Sequence, residues 1–355
     1  MTKPTVLITG ASGMLGRSLA KRLAGDYTLV GVDVQEPPSD SPLDSVHYLD
    51  VTSNMSTREA LEAIRDEHGD ALAAVVHLAA YYDFSGGDSP LYEKVTVEGT
   101  RRLLDTLETF DVDRFVFTST MLVHAPVKPG ERIDEGSPID AKWAYPQSKV
   151  ETEKVITEHT PRIPYTLLRI AGVYTDFGKQ PTLVHQIERI HEQDFESFFF
   201  PGDTDAGQSL VHLDDAVEAL ALTIDRRNEV RDGPILIGEP DPMGYAELQD
   251  RIGELLWGEE WPTVRVPASL AKAAAWIEER ISEGSFIKPY MIELADDHYA
   301  LDIGRARREL GWEPERRLED VLPKMTDMLE EYPVAWKRAN GLMEPEVELA
   351  ESVGS

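Results

Sequence analysis

Apolar residues in the first half of the chain gather in short uninterrupted runs separated by helix-period stretches. Val6-Leu7-Ile8 is the first run, suited to a strand buried on both faces of a parallel sheet. Leu15, Leu19 and Leu23 then recur every four residues, along one face of a helix. The alternation continues. Thr28–Val34, Val46–Val51, Ala73–Ala80, Arg114–Ser119 and Tyr165–Ile170 predict five further strands. Ser56–His68 (Leu61 and Ile64 inward), Tyr92–Phe110 and Trp143–His159 predict helices between them. Gln35 to Asp44 is rich in Pro, Ser and Asp and predicts a loop. Strand and helix thus alternate repeatedly, which implies an α/β fold built on a doubly wound parallel sheet.

From Tyr174 onward the pattern loosens into short helices, the aromatic run Phe198–Phe200 and Gly/Asp/Pro loops. Two short apolar stretches, Ser209–Leu213 and Pro234–Gly238, are expected to return to the main sheet. The chain then divides into a first domain over residues 1–175, with 205–240 returning to it. A smaller α+β lobe for the substrate is expected over 176–204 and 241–330, with Trp257, Trp261 and Trp276 in its core. Residues 331–355 read as an acidic tail, partly disordered.

The turn after the first strand carries chemistry. Gly10, Gly13 and Gly16 follow that strand at three-residue spacing and open the helix. A strand turning through glycines into a helix aims free N–H groups and a positive dipole end at one point, which suits a pyrophosphate. Gly10 permits the tight turn, Gly13 lets backbone approach the phosphates, and Gly16 lets helix lie close on sheet. Asp33 ends the second strand about twenty residues beyond the loop, where a carboxylate accepts both adenosine ribose hydroxyls and repels a 2′-phosphate. No Arg or Lys stands between Asp33 and Pro37, so NAD is favoured over NADP. The expected architecture is therefore a Rossmann-like sheet with NAD at its C-terminal edge, where the small residues of Ala73–Ala80 leave room.

Tyr145 and Lys149 lie four residues apart on one predicted helix and share a face. A free phenol titrates near 10, and bringing it to about 7 requires about 4 kcal/mol. A lysine ammonium ~4 Å away at an effective dielectric near 20 supplies about that much. The pair is expected to make a base that takes the proton of a substrate hydroxyl while hydride leaves the carbon. Thr120, at the end of the fifth strand, would hold the same oxygen.

In this order the chain carries TGASGMLG (Thr9–Gly16), Asp33, DV (Asp50–Val51), HLAA (His77–Ala80), TSTMLVH (Thr118–His124), YPQSK (Tyr145–Lys149) and LRIAGVY (Leu168–Tyr174). LVHLDDAV (Leu210–Val217) and RARRELGWEP (Arg305–Pro314) follow. The set resembles the NAD-dependent epimerase/dehydratase family of extended short-chain dehydrogenases/reductases. The resemblance implies NAD held by Gly10, Ser12, Gly13, Met14, Leu15, Gly16, Asp33, Asp50, Val51, Leu78, Ala79 and Ala80. It implies Tyr145 as base, Lys149 as its partner and ribose anchor, and Thr120 as hydroxyl donor. The activity implied is hydride transfer at a secondary alcohol of a sugar, foremost a nucleotide-sugar, in the manner of UDP-glucose 4-epimerase.

Several positions depart from the family pattern. The VYG after the hydroxyl residue reads Val123-His124-Ala125, the Asn of LRxxNVYG is Gly172, and its closing Gly is Thr175. Gln208 stands where an Arg commonly clamps a diphosphate, and an amide replaces that charge-assisted contact poorly. Lys288 or Arg265 would have to compensate. Tyr82, His124 and Gly172 are the candidate substrate residues, with Tyr81-Tyr82-Asp83-Phe84 facing the cleft. His124 also reads as a packed strand-end histidine. Two other readings stay open: a 3β-hydroxysteroid dehydrogenase-like enzyme on a hydrophobic alcohol, and a non-catalytic NAD-binding protein. The second usually loses the tyrosine or lysine, and both are kept here.

Composition narrows the partners. Sixty-five acidic against 35 basic side chains give the 355-residue chain a net charge of −30, which disfavours nucleic acid and anionic membrane surfaces. There is no cysteine, so disulfide and thiolate chemistry are excluded. No metal site is expected, since the nine histidines show no ligand spacing and His185 and His191 fall on different helical faces. No apolar run reaches the ~18 residues of a membrane span, and a strand begins within five residues of the start. A cytoplasmic enzyme is expected, acting on a small molecule and dimerising with its own copy through the helices at Tyr92–Phe110 and Trp143–His159. The dispersed acidic excess suits a high-salt cytoplasm, where screening removes self-repulsion.

Overall fold

The computed structural model describes residues 3–83, 87–159, 162–266 and 294–343. Its centre is a seven-stranded sheet, parallel throughout. Strands β1 (Thr5–Thr9), β2 (Thr28–Asp33), β3 (Ser45–Tyr48), β4 (Ala74–His77), β5 (Phe115–Thr120) and β6 (Tyr165–Ile170) match the six predicted runs. β7 (Gly172–Tyr174) and β8 (Leu210–His212) follow, and β9 (Gly233–Ile237) completes the sheet in the order β9-β6-β5-β4-β1-β2-β3. Strand order reverses beside β1, so the crevice between the C-terminal ends of β1 and β4 is the topological switch point where such sheets bind ligands.

Helix α1 (Met14–Leu23) and α2 (Asn54–His68) follow β1 and β3. A π-helical stretch, Tyr92–Val97, leads into α3 (Glu98–Leu107), and α4 spans Ala144–Glu158. Later come α5 (Pro181–His191), α6 (Leu213–Asp225), α7 (Tyr245–Trp257), α8 (Gly304–Leu310), α9 (Leu318–Glu331) and α10 (Pro333–Ala339). Alternate side chains of β1 feed different cores, as strand geometry requires. Val6 and Ile8 pack with Leu19, Leu220 and Ile224 on one face. Leu7 packs with Leu61, Ile64, Leu103 and Leu107 on the other. A third cluster joins Tyr174, Ile187, Ile252, Trp261, Leu322, Met325 and Trp336.

One expectation changes here. Pro234–Gly238 supplies β9, but β8 does not reach the main sheet. It pairs in parallel with β7 in a separate two-stranded ribbon, Leu210 opposite Gly172, because the chain leaves β6 through Ala171 and carries its partner strand out with it. Within the tail, residues 333–339 form α10, with Trp336 buried against the third cluster. Of the tryptophans assigned to the lobe core, Trp261 is buried. Trp257 is half-exposed, donating its indole N–H to the Ile190 carbonyl, and Trp276 lies outside the described residues. Among the described residues no helix is long and apolar enough to cross a membrane.

Candidate active site

The glycine turn is built by exclusion of side chains. Gly10 adopts φ +70°, and a Cβ there would stand 2.9 Å from the Ala79 nitrogen. At Gly16 a Cβ would stand 2.4 Å from the Gly10 carbonyl oxygen. Gly13 caps α1 with no side-chain acceptor and no carboxylate in the first turn, which leaves the first-turn N–H groups aimed outward for an anion. Asp33 is held against this turn: Oδ2 accepts from the Ser12 N–H at 2.9 Å and Oδ1 from the Gln35 N–H at 3.1 Å. The Ser12 hydroxyl donates to the Gln35 carbonyl at 2.7 Å. The loop, Ser12, Met14, Leu15 and Asp33 therefore converge at the switch point, and this cradle fits a dinucleotide. Asp50 spends one carboxylate oxygen on the Thr52 N–H and hydroxyl, both at 2.8 Å, while Val51 is buried against Gly99.

A chain of hydrogen bonds that sequence reasoning missed fixes Leu78, Ala79 and Ala80 beside the loop. Thr100 donates to the Thr96 carbonyl at 2.6 Å, so its oxygen accepts from His77 Nε2–H at 2.9 Å. His77 Nδ1 then accepts from the Thr9 hydroxyl at 2.7 Å, whose oxygen accepts from the Ala79 N–H at 3.2 Å. Burial pushes His77 down to about 3, helped by the charge of Lys149, so the imidazole stays neutral and the bond directions stay fixed. The signal was visible as Thr9 and His77 at two strand ends, but only their pairing across β1 and β4 gives it meaning.

The predicted trio meets at the ends of β5 and α4. Thr120, the last residue of β5, is buried, accepts from the Leu122 N–H at 3.3 Å, and lies near enough to the Tyr145 phenol to lower its titration. Tyr145 stands in the first turn of α4, followed by Pro146, where a missing N–H costs nothing. Lys149, one turn on, donates to the Thr118 carbonyl at 2.8 Å and lies over the Phe117 ring at 4.7 Å. The exposed Tyr82 meets Tyr145 edge-on, ring centroids 4.9 Å apart; Phe84 lies outside the described residues.

The electrostatics differ from the expectation. Burial pushes the Tyr145 phenol up to about 12, with Thr120 drawing it back. Burial likewise pulls Lys149 down to about 8, against the raising pull of Glu153. The ammonium is 5.8 Å from the Tyr145 ring centroid and points at the Thr118 carbonyl. Proximity on the helix face thus does not by itself ionise the phenol, because both groups lose more water than a contact at this distance returns.

Two candidate substrate residues lie elsewhere. His124 is fully buried, with Nδ1 3.2 Å from the Ser137 carbonyl and Nε2 2.9 Å from Arg169, so it packs beneath the cleft and offers no surface to a substrate. Gly172 sits in the β7–β8 ribbon, where a Cβ would meet Leu210 at 2.8 Å; packing alone accounts for it. Gln208 bridges the backbone of Tyr299. Beside this bridge Lys142 is paired with the buried Asp297 at 2.7 Å, and the exposed Arg265 stands 3.9 Å from Asp296; Lys288 lies outside the described residues. Among the described residues, metal-type side chains gather at two surface points, His47–Glu67–His68 and Asp105–Glu108–His159, groupings that linear spacing does not show. Neither includes a member of the trio.

A family model described as the NAD dependent epimerase/dehydratase family matches residues 6–238. The chain belongs to that family. It is an NAD-dependent enzyme of the extended short-chain dehydrogenase/reductase type. Sterol demethylase protein B of Methylococcus capsulatus is 26% identical over 355 residues, covering 96% of this chain and 100% of that protein. Short-chain dehydrogenase/reductase family 42E member 1 of Xenopus laevis is 27% identical over 347 residues, covering 88% and 85%. In fold, this epimerase/dehydratase-family chain is similar to the UDP-glucose 4-epimerase of Thermus thermophilus solved with NAD. The TM-score is 0.69 at 20% identity, over 92% of this chain and 99% of that one.

Proposed function

We propose that the enzyme oxidises a secondary alcohol through Tyr145 and reduces or releases the resulting ketone. The observation that carries this is the nearness of the Thr120 hydroxyl to the Tyr145 phenol, close enough to lower its titration, on the helix face that also carries Lys149. The cradle of Gly10, Ser12, Gly13, Met14, Leu15, Gly16 and Asp33 would hold NAD, with Ala79 alongside and Lys149 on its ribose. NAD, when bound, supplies a hydride acceptor and a positive charge. Thr120 orients the substrate oxygen, Tyr145 takes the hydroxyl proton, and Tyr82 covers the phenol from bulk water.

The first substrate reading is a sugar carried on a nucleotide, supported by the fold shared with a UDP-glucose 4-epimerase. A second reading, a hydrophobic alcohol, is favoured by the surroundings of Gln208. An amide replaces the expected Arg there, and Lys142, the nearby cation, is already engaged by Asp297. The name of the Methylococcus relative points the same way. Incubation with UDP- and dTDP-sugars and with steroid and isoprenoid alcohols, following NADH absorbance and epimer formation, separates them. Turnover of the alcohols alone moves the substrate to the second class, and turnover of neither removes both.

A further inference from the structure

We propose that Glu153 is a positioning residue that locks the register of α4 on β5 and keeps Lys149 in its cationic form. The inference rests on the reading of Lys149 as the ribose anchor. Tyr145, Lys149 and Glu153 occupy three successive turns of one helix face, at i, i+4 and i+8. Each engages a different one of three consecutive residues of β5. Lys149 donates to the Thr118 carbonyl at 2.8 Å, Glu153 accepts from the Ser119 hydroxyl at 2.6 Å, and Tyr145 lies near the Thr120 hydroxyl, which lowers its titration. A slip of the helix by one residue would break all three together.

The Glu153 contact is anchored from below. Arg169 on β6 clamps the carboxylate with Nε at 3.0 Å and Nη2 at 2.6 Å. The pair is nearly enclosed, with side chains 7% and 10% exposed. Arg169 Nη1 donates to His124 Nε2 at 2.9 Å, and His124 Nδ1–H donates to the Ser137 carbonyl at 3.2 Å. Burial and Arg169 push His124 down to about 4, so it remains a neutral acceptor. A buried ion pair contributes little to stability compared with well-packed apolar groups. Its satisfied bonds instead specify where the catalytic helix sits on the strand that presents Thr120.

The same carboxylate acts on Lys149. From its own helix Lys149 faces Tyr145 and Glu153; from β4 the neutral His77; from β5 the Thr118 carbonyl and Phe117 ring; and from β6 Arg169, through Glu153. Glu153 is the anion among these groups, and it opposes the burial that pulls Lys149 down. Removing it would leave two buried cations, Arg169 and Lys149, and the lysine is the one able to lose its proton.

NADH fluorescence titrations across alkaline pH test this without any substrate. Wild-type affinity is expected to weaken as pH rises through about 8, and Lys149→Met is expected to flatten that profile. Glu153→Gln is expected to move the midpoint down by about one pH unit, and Arg169→Met, which frees the carboxylate from its guanidinium, to move it up. Opposite shifts are not what loosened packing would give. Midpoints that stay at the wild-type pH, or that move the same way in both variants, overturn the assignment of Glu153. A wild-type affinity flat across the range overturns the role of Lys149 and, with it, the reading on which this rests.

Discussion

A Cβ on Gly16 would stand 2.4 Å from the carbonyl oxygen of Gly10 and 2.8 Å from the Cα of Ala11. Both obstacles are backbone, so neither can rotate away. The neighbouring Gly13 differs: a Cβ there meets only the Gly10 oxygen, at 3.3 Å. Gly16→Ala is therefore expected to destabilise the cofactor-free protein by about 1–3 kcal/mol, the usual cost of overpacking. Gly13→Ala is expected to cost less stability than Gly16→Ala, since its one contact needs a shift of only a few tenths of an ångström, and to weaken NADH binding, because its space belongs to the phosphates. Thermal unfolding and NADH titration of both variants check this; a Gly16→Ala protein that melts with the wild type refutes the packing argument.

With burial pushing Tyr145 up to about 12 and Lys149 turned toward Thr118, the phenolate needs a further positive charge nearby. The oxidised nicotinamide is the candidate. The tyrosinate ultraviolet difference signal is expected at lower pH with NAD+ bound than with NADH or without cofactor. Tyr145→Phe should abolish that component and cut turnover by about 10²–10⁴-fold while NADH affinity is retained. A signal that ignores the redox state of the cofactor would place the base elsewhere.

Much of this site was legible before any coordinates. Short continuous apolar runs suit strands covered on both faces, so the seven sheet strands and their order of appearance followed from Val6–Ile8 and its counterparts, Pro234–Gly238 being the last. The Gly10–Gly16 turn, Asp33 and the Thr120–Tyr145–Lys149 trio followed because each is a local pattern with a local mechanism. What stayed hidden were the pairings between distant segments. Ser119, Glu153 and Arg169 belong to no local motif, and only the packing of α4 across β5 and β6 joins them. His124 read both as a candidate substrate residue and as a packed strand-end histidine; it follows the turn at Met121–Val123 and is fully buried against Arg169 and the Ser137 carbonyl. The titration of Tyr145 also depended on how much water its phenol loses, which spacing along a helix does not encode.

Glu239 lies just beyond β9, buried, and accepts from the Tyr174 hydroxyl at 3.0 Å and the Leu318 N–H at 3.1 Å. It thus ties the start of α9 to the sheet. Burial pushes its carboxyl up to about 7 from an ordinary 4.5. The native state therefore holds a proton that the unfolded chain has released between these values. The corresponding stability is fully present below about 4.5 and is lost as pH rises through about 7. Glu239→Gln keeps an acceptor for both partners and removes the titration. Relative to wild type it should gain on the order of 2–3 kcal/mol between pH 5 and pH 8. Denaturant unfolding of both proteins at the two pH values measures the difference; parallel pH curves would show that Glu239 does not titrate in this range.

Salt should act through the excess of carboxylates. Surface pairs such as Arg22–Glu218 and Lys154–Glu151 are weakened by screening, but each contributes at most about 1 kcal/mol. Against them stand 65 acidic and 35 basic side chains, leaving 30 negative charges uncompensated. Their mutual repulsion opposes the compact state and reaches over about 10 Å at 0.1 M salt but only about 3 Å at 1 M. The repulsive sum is longer in range and larger in count than the attractive pairs, so screening is expected to stabilise the fold. The denaturation midpoint should rise steadily as KCl is taken from about 0.1 M toward 1 M and above, and should rise as much with NaCl as with KCl, since screening depends on ionic strength. A midpoint that is flat or falls over that range would mean that the local pairs outweigh the net charge, and that the acidic surface is not an adaptation to a high-salt interior.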